Sequence, residues 1–325
     1  KSEQKYVFMD CYTSWCGPCK NMTQNVFPQK KAGDYFNPKF ICVKYDMEKG
    51  EGPELGKRFE VRAYPTFLVL DAEGRLLHKV IGSYSVDEII ERIEESFDEE
   101  KAYGSLKAKY ESGNREQVFM VKYLKMLIRY YDPAMEAVAA ELINTLSDKE
   151  KVEEAYWFVF SNPKLTPEGS ANEAWLLKNH KRFNKTVGKE KVEQELDKRY
   201  TEKLLKVLSQ KEKIWTEKQL AALGREIAAL KTNEELQAYV TVAKTALKKG
   251  VEELISVCET EFPKFKTKEI PYIQFCDRIV AEASPADRAR YIALGEKLYA
   301  QAKDEPAKNT FKFVLEYLKH HNKQN

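Results

Sequence analysis

Short apolar runs alternate with helical stretches along the first 97 residues. Four runs have the length and the β-branched or aromatic content typical of strands, at residues 5–12, 39–46, 65–71 and 75–82. Stretches with helical spacing lie between or after them, at about residues 18–32, 51–60 and 85–97. The pattern predicts the order β-α-β-α-β-β-α, an α/β sheet whose first strands are apolar enough to be covered on both faces.

Local signals support the last part of this order. Asp-Ala-Glu-Gly at 71–74 has the composition of a tight turn, so we predict that the last two strands pair as a hairpin. Ser85, with Glu88 three residues later, is typical of a helix start. The closing helix is expected to carry Ile89, Ile90 and Ile93 on one face.

The strand pattern ends after Phe97. Amphipathic or buried helices are predicted at residues 116–131, 134–146, 152–160, 233–249 and 286–302. Proline and glycine breaks between them indicate roughly ten helices with short connections. We therefore predict two domains, residues 1–97 and an all-α domain at 98–325, with a polar junction at 98–105. The first helices resemble a tetratricopeptide hairpin, but no period recurs clearly, so we expect an irregular helical array.

Composition limits the partners. The chain has 325 residues, of which 43% are hydrophobic and 32% charged, as in a globular protein of two domains. The net charge of +3 is too small to indicate a nucleic-acid partner. No long uninterrupted apolar run occurs, so no membrane span is predicted. The sequence carries no signal of oligomeric state.

Candidate chemistry is concentrated in a Cys-Gly-Pro-Cys motif at the end of the first strand. Its spacing alone is weak evidence, since a zinc site, a structural disulfide and a redox pair all use two cysteines separated by two residues. The position is more informative, because Cys16 and Cys19 lie where the strand is followed by a helix. The unpaired N–H groups of a first helical turn favour an anion. Cys16 is therefore expected to have a lowered pKa and to be the attacking thiol.

Neighbouring residues agree with this assignment. Pro18 suits a first helical turn because it has no N–H group to leave unpaired. Lys20 adds a positive charge close by. Cys19, one turn further along and expected to be more buried, would resolve a mixed disulfide by attacking Cys16.

The metal alternative lacks ligands. A structural zinc site needs four, and no second cysteine pair or Cys/His pair has the required spacing, so no metal is expected. A permanent structural disulfide remains an alternative to the redox pair. The cysteines outside the motif are Cys11, Cys42, Cys258 and Cys276.

The segment Trp-Cys-Gly-Pro-Cys-Lys at 15–20 is identical to the active-site motif of thioredoxins, and the predicted element order is the core of that fold. The first 95 residues or so thus resemble the thioredoxin family. Asp10, six residues before Cys16, resembles the buried acid that exchanges a proton with Cys19. Lys44 resembles the lysine that often partners this acid.

The resemblance also implies a substrate groove. Tyr-Pro-Thr at 64–66 resembles the loop in which Pro65 is cis and faces the redox pair, and Gly82 resembles a glycine of the apolar rim. The residues that the resemblance places along the groove are Trp15, Gly17, Pro18, Tyr64, Pro65, Thr66 and Gly82.

The chain departs from the general family pattern in places. Thioredoxins carry a further strand and helix before the strand at 5–12, where only four residues precede it here, and residues 48–54 form an insertion. The sequence of residues 6–27 is more similar to exported thioredoxin-like proteins than to general cytosolic thioredoxin. This similarity implies an envelope or periplasmic location in a Gram-negative bacterium, with the cytoplasm as the alternative.

Four further cysteines and a histidine receive structural interpretations. Cys11 and Cys42 are expected to behave as small buried hydrophobic residues. Cys258 and Cys276 could form a disulfide across a helix hairpin in an exported protein. His78 is expected at the surface of the predicted hairpin.

The resemblance implies a thiol-disulfide oxidoreductase that reduces protein disulfides. Its partners would be disulfide-bearing proteins and a dithiol electron donor, and no cofactor beyond the Cys16–Cys19 disulfide is expected. The helical domain would select partners. Two alternatives stay open: a disulfide isomerase or oxidase, and a redox-sensitive protein- or peptide-binding module with little turnover.

Overall fold

The computed structural model describes residues 5–209, 215–230 and 234–323. The chain divides into two compact units, Lys1–Arg182 and Phe183–Asn325. The first unit contains the sheet and all of the candidate active-site residues.

A mixed four-stranded sheet organises the first unit. Its strands are β1 (Tyr6–Tyr12), β2 (Phe40–Asp46), β3 (Thr66–Leu70) and β4 (Leu76–Ile81). Their spatial order is β2-β1-β3-β4, with β2 parallel to β1 and the other two pairs antiparallel. All four predicted strands are confirmed, as is the β3–β4 hairpin.

Helices cover the sheet. They are α1 (Gly17–Asn21), which continues as a π-helix (Met22–Val26), then α2 (Lys30–Lys39), α3 (Gly52–Arg58) and α4 (Val86–Glu94), which ends in a 3₁₀ turn (Glu95–Phe97). The single helix predicted at 18–32 is wrong in this detail. The helical hydrogen bonds stop near Pro28, which has no N–H group, and a separate helix begins at Lys30.

Both faces of the central strands are buried. On one face Phe8 of β1 stacks on Phe67 of β3, with ring centroids 5.5 Å apart, above the α4 residues Ile89 and Ile93. On the other face Cys11 packs in a second apolar cluster, which includes Met9, Leu68 and Leu70.

Strand β2 does not share this double cover. It is an edge strand, and Ile41 and Cys42 are exposed. The expectation that Cys42 is buried is therefore wrong, because a strand at the edge has a neighbour on one side only. Cys11 on the central strand is fully buried, as expected.

The turn and the helix start follow the predicted chemistry. Asp71 Oδ1 accepts hydrogen bonds from the backbone N–H groups of Glu73 and Arg75 at 3.0 and 2.9 Å. Ser85 and Glu88 form a capping box at the start of α4, so two N–H groups of the first turn have partners.

Further helices follow in the first unit. They are α5 (Tyr103–Glu111), α6 (Gln117–Arg129), α7 (Met135–Thr145), α8 (Trp157–Phe160) and α9 (Ala171–Phe183). The continuous helix predicted at 152–160 is wrong: two 3₁₀ turns precede α8, and Glu153 between them has extended backbone angles. Tyr156 and Trp157, at the start of α8, are both buried.

The segment predicted as a polar junction, residues 98–105, is divided: Glu99, Glu100 and Lys101 are exposed, whereas residues 102–105 pack against the sheet. Ala102 and Tyr103 are buried, and a Cβ at Gly104 would overlap the backbone carbonyl of Leu76 in β4. Helix α5 thus covers the edge of β4. The first compact unit extends to Arg182 as a result, and the domain boundary at residue 97 stays a prediction.

His78 corrects another expectation. This β4 residue is fully buried rather than exposed, because α5 and the buried Tyr130 cover the hairpin edge.

The second unit is helical throughout its described part. Its helices are α10 (Lys189–Ser209), α11 (Glu217–Ala229), α12 (Glu234–Lys248), α13 (Val251–Glu261), α14 (Glu269–Gln274), α15 (Cys276–Glu282), α16 (Pro285–Gln301) and α17 (Glu305–Lys323). The fold class is confirmed: a mixed α/β sheet domain is followed by a largely helical region. A repeat period within the array stays a prediction. None of the helices in the described ranges is long and apolar enough to cross a membrane.

Candidate active site

A disulfide joins Cys16 and Cys19 where β1 is followed by α1. Cys16 is the N-cap residue of α1, and its Sγ accepts a hydrogen bond from the backbone N–H of Cys19 at 3.1 Å. Both cysteines are 3% exposed, so the expected difference in burial between them is not seen in the disulfide form. The contact supplies one N–H donor to Sγ, as the first turn of a helix can do for an anion.

The residues between and after the cysteines face solvent. Gly17, Pro18 and Lys20 are exposed, and no atom lies near the position that a Cβ on Gly17 would occupy. Pro18 lies in the first turn of α1, as predicted, and Lys20 lies in the last. The surface beside the disulfide is therefore open to the approach of another polypeptide.

The loop predicted to face the disulfide is tied to the rim glycine. The Tyr64–Pro65 peptide bond is cis. The backbone N–H of Gly82 donates to the Pro65 carbonyl at 3.0 Å, and Gly82 has a φ of +116°, a region that favours glycine. Thr66 is buried, and its hydroxyl donates to the Ala63 carbonyl at 2.7 Å. These bonds hold the loop and the end of β4 together.

Trp15 forms the exposed part of the rim. It is 65% exposed, and its ring lies edge-on to Tyr64 with centroids 6.0 Å apart. Its indole N–H donates to Glu48 Oε1 at 3.0 Å. The sequence interpretation missed Glu48, although the insertion at 48–54 begins with this residue and was a place to look for it.

Asp10 lies behind the motif on β1 and is 6% exposed. Burial raises the pKa of this carboxyl to about 6, and the positive charge of Lys44 opposes that rise. Asp10 Oδ2 lies 3.9 Å from Lys44 Nζ, while Oδ1 has no hydrogen-bond partner in the protein. Such a carboxyl can gain or lose a proton near neutral pH.

Lys44 has a second partner that the sequence interpretation missed. Its Nζ donates to Thr23 Oγ1 at 2.7 Å and lies 4.3 Å from the centre of the Tyr12 ring. Thr23 follows Cys19 by four residues, so helical spacing places the two on one face and could have identified it.

Outside the motif, the described cysteines are free. Burial raises the pKa of the Cys11 thiol to about 12 and that of Cys276 to about 11, which makes both poor nucleophiles near neutral pH. Cys258 is buried, and the disulfide considered between it and Cys276 is not formed. Over the described ranges, no three His, Cys, Asp or Glu side chains group as metal ligands.

The mixed sheet, the disulfide at the start of a helix, the cis proline and the buried acid together define a thioredoxin-type redox domain. Residues 1–95 match the family model for thioredoxin. The N-terminal domain of this chain therefore belongs to the thioredoxin family.

Each similar protein named here matches less than a third of this chain. Thioredoxin-1 of Drosophila melanogaster is 37% identical over 75 residues, which are 23% of this chain and 65% of that protein. Mitochondrial thioredoxin-3 of Saccharomyces cerevisiae is 41% identical over 83 residues, 26% of this chain and 59% of that protein. A provisionally named disulphide-isomerase from Bacteroides thetaiotaomicron, solved in solution, is 40% identical with a TM-score of 0.28; the match covers 30% of this chain and 80% of that one. The chain thus spans less than two thirds of the length of each of these two thioredoxins.

Proposed function

We propose that this protein is a thiol-disulfide oxidoreductase that reduces disulfides of other proteins. The observation that carries the proposal is the Cys16–Cys19 disulfide, closed at the start of α1 with a hydrogen bond to Cys16 Sγ. A buried acid, Asp10, and the cis Tyr64–Pro65 loop accompany it on the same sheet.

The first step begins with the reduced dithiol. The Cys16 thiolate attacks one sulfur of the substrate disulfide, a mixed disulfide forms, and the other substrate sulfur leaves as a thiolate that takes a proton from solvent. The N–H of Cys19 and the positive end of α1 favour the Cys16 thiolate that this step needs.

The second step releases the substrate. Cys19 gives its proton to the Asp10 carboxylate and attacks Cys16 Sγ, which breaks the mixed disulfide and releases the second substrate sulfur as a thiolate that takes a proton from solvent. Two electrons have then passed to the substrate, and the Cys16–Cys19 disulfide is the oxidised product. A carboxyl whose pKa is about 6 is suited to accept this proton and to release it again.

A second dithiol must restore the enzyme. Disulfide exchange with a dithiol electron donor reduces Cys16 and Cys19 and oxidises the donor, so the cycle needs no cofactor besides the redox-active disulfide. The same exchange, with the enzyme supplied in a different redox state, would perform isomerisation or oxidation. A protein disulfide-isomerase of Datisca glomerata is 27% identical over 90 residues, a match that covers 28% of this chain and 18% of that protein.

Partner selection by the helical region belongs to the same proposal. The exposed rim around Trp15 offers an apolar surface for a substrate segment, and α5 extends the first unit along the edge of β4.

An envelope location is also proposed. It rests on the resemblance of residues 6–27 to exported thioredoxin-like proteins, and cell fractionation tests it.

The test is reduction of insulin by dithiothreitol. The wild-type protein should accelerate it, Cys16→Ser should abolish the acceleration, and Cys276→Ser should leave it unchanged. Equal rates for wild type and Cys16→Ser would end the proposal.

A second experiment uses Cys19→Ala to identify the partners. This variant should retain substrates as mixed disulfides because no thiol is left to resolve them, and recovery of the bound proteins identifies them.

A further inference from the structure

The Lys44 ammonium is shared between three neighbours. The nearest is Thr23 Oγ1 at 2.7 Å; Asp10 Oδ2 is more than an ångström further away, at 3.9 Å, and the Tyr12 ring centre lies at 4.3 Å. A direct charge-assisted hydrogen bond to a carboxylate has a length of roughly 2.7–2.9 Å. Lys44 therefore bonds to the hydroxyl and stays just outside direct contact with the carboxylate.

A cavity accompanies this arrangement. It has a volume of about 320 Å³ and lies between the face of β1 and β2 and the helices opposite. Asp10, Thr23 and Lys44 contribute its polar groups, and its apolar part includes Phe8 and Phe36. Asp10 Oδ1 is buried without a hydrogen-bond partner in the protein. Water in a cavity of this size could exchange a proton with that oxygen.

We infer that Thr23 is a positioning residue: its hydroxyl holds the Lys44 ammonium at the outer part of the cavity, off the Asp10 carboxylate, so that the carboxylate remains free to exchange a proton. The contacts among Thr23, Lys44 and Asp10 are independent of the proposed function. The consequence for the resolving step, in which Asp10 accepts a proton from Cys19, rests on that proposed function. Lys44 has 39% of its side chain exposed and Thr23 is exposed, which places their hydrogen bond on the solvent side of the buried acid.

Few other charges act on Asp10. Among the described groups, Lys44 on β2 is the charged side chain that shifts the pKa of Asp10. The adjacent Cys11 thiol is neutral near pH 7, and Phe67, its partner in register on β3, is apolar. Cys19 on α1 is held in the disulfide in this structure and does not titrate. Displacing the Lys44 ammonium is thus the direct way to change the pKa of the Asp10 carboxyl.

The experiment follows the Asp10 carboxyl by ¹³C NMR as a function of pH, in the oxidised full-length protein. Oxidation keeps Cys16 and Cys19 from titrating, so their protonation does not distort the curve. Asp10→Asn identifies the resonance. Four proteins are compared with wild type: Thr23→Val, Thr23→Ser, Lys44→Met, and the double variant with both Thr23→Val and Lys44→Met. Lys30→Met, at an exposed lysine paired with Asp34, is the matched charge control.

Thr23→Val has the shape of threonine without its acceptor. We expect the Asp10 midpoint to fall by on the order of half to one pH unit, because the released ammonium can move closer to the carboxylate. Thr23→Ser keeps the hydroxyl and should retain the wild-type midpoint. Lys44→Met should raise the midpoint, Thr23→Val should add nothing in that background, and Lys30→Met should leave it unchanged.

Two outcomes would overturn the inference. A rise of the midpoint in Thr23→Val would show that the hydroxyl holds Lys44 towards the acid rather than away from it. A shift of equal size with and without Lys44 would show that Thr23 does not act through the lysine. The titration requires no activity, so absence of insulin reduction in the wild type would refute the proposed function and leave this result standing.

Discussion

The imidazole Nδ1 of His78 accepts a hydrogen bond from the backbone N–H of Tyr103 at 3.1 Å. Tyr103 is the first residue of α5, so its N–H has no acceptor within its own helix. His78 Nε2 lies 3.3 Å from the hydroxyl of Tyr130 and 3.7 Å from Glu95 Oε2. An accepting Nδ1 requires the neutral ring, and burial lowers the pKa of His78 to about 3. A buried residue of β4 thereby caps helix α5.

Replacing this cap should loosen α5. His78→Leu fills the site with an apolar side chain of similar size but leaves the Tyr103 N–H without a partner, which costs about 1–3 kcal/mol. Amide hydrogen exchange should become faster over Tyr103–Glu111, while the exposed control His320→Leu should leave it unchanged. Unchanged protection of α5 in His78→Leu would contradict the capping role.

The same residue should make stability depend on pH. The pKa of His78 is about 3 in the folded protein against an ordinary 6.5, so below pH 6.5 the unfolded chain binds a proton that the folded protein does not. Stability from this group therefore falls with falling pH, by about 1.4 kcal/mol per unit until the folded pKa is reached.

The variant His78→Gln isolates this effect, because its side-chain oxygen can accept from Tyr103 but does not titrate. The stability of wild type relative to His78→Gln should decrease by about 2 kcal/mol between pH 7 and pH 5 in urea unfolding. A difference that is independent of pH over this range would count against a neutral buried His78.

Gly104 should not tolerate even alanine. A Cβ at this position would overlap the carbonyl of Leu76, so Gly104→Ala should displace α5 from β4 and destabilise the first unit. Helix propensity alone predicts the opposite, a gain of up to about 1 kcal/mol. Gly33→Ala is the matched control, since it lies in α2 and its Cβ would have its nearest contact at 3.5 Å. Urea unfolding should show stabilisation of Gly33→Ala and destabilisation of Gly104→Ala; equal effects would refute the packing argument.

Asp10 should reduce the stability of the protein above pH 6. Its pKa is raised from 3.8 to about 6, so the folded protein holds the proton more tightly than the unfolded chain, and stability falls as pH rises from about 4 to 6. Asp10→Asn removes this cost and should be more stable than wild type at pH 8 by about 3 kcal/mol. The gain should vanish near pH 4. The variant should also resolve mixed disulfides more slowly, and a stable variant that resolves at the wild-type rate would exclude Asp10 as the proton acceptor.

Much of the N-terminal domain could be predicted because its signals are local. The apolar alternation of β1 to β4, the turn at 71–74 and the Ser85–Glu88 capping box each depend on residues close in sequence. The Cys16–Cys19 pair was recognisable for the same reason, since a strand end, a proline and a helix start surround it. Where the signal was weaker, at Pro28 and at residues 152–160, the predicted helices were continuous and the real ones are divided.

Contacts distant in sequence could not be predicted in this way. His78 has the alternation of a surface hairpin, and only the packing of α5 and Tyr130 makes it buried. Cys42 is of a residue type that is usually buried, and only its place on the edge strand exposes it.

The sequence by itself determined the strands, the redox motif and the helical character of the second part of the chain. The tertiary structure alone decided which groups are removed from water and which charges meet. It placed Lys44 between Thr23 and Asp10, and it raised the pKa of that acid by burial. The physical reason is that periodicity records which face of an element is apolar, whereas desolvation and electrostatic interactions depend on the neighbours that the fold brings to that face.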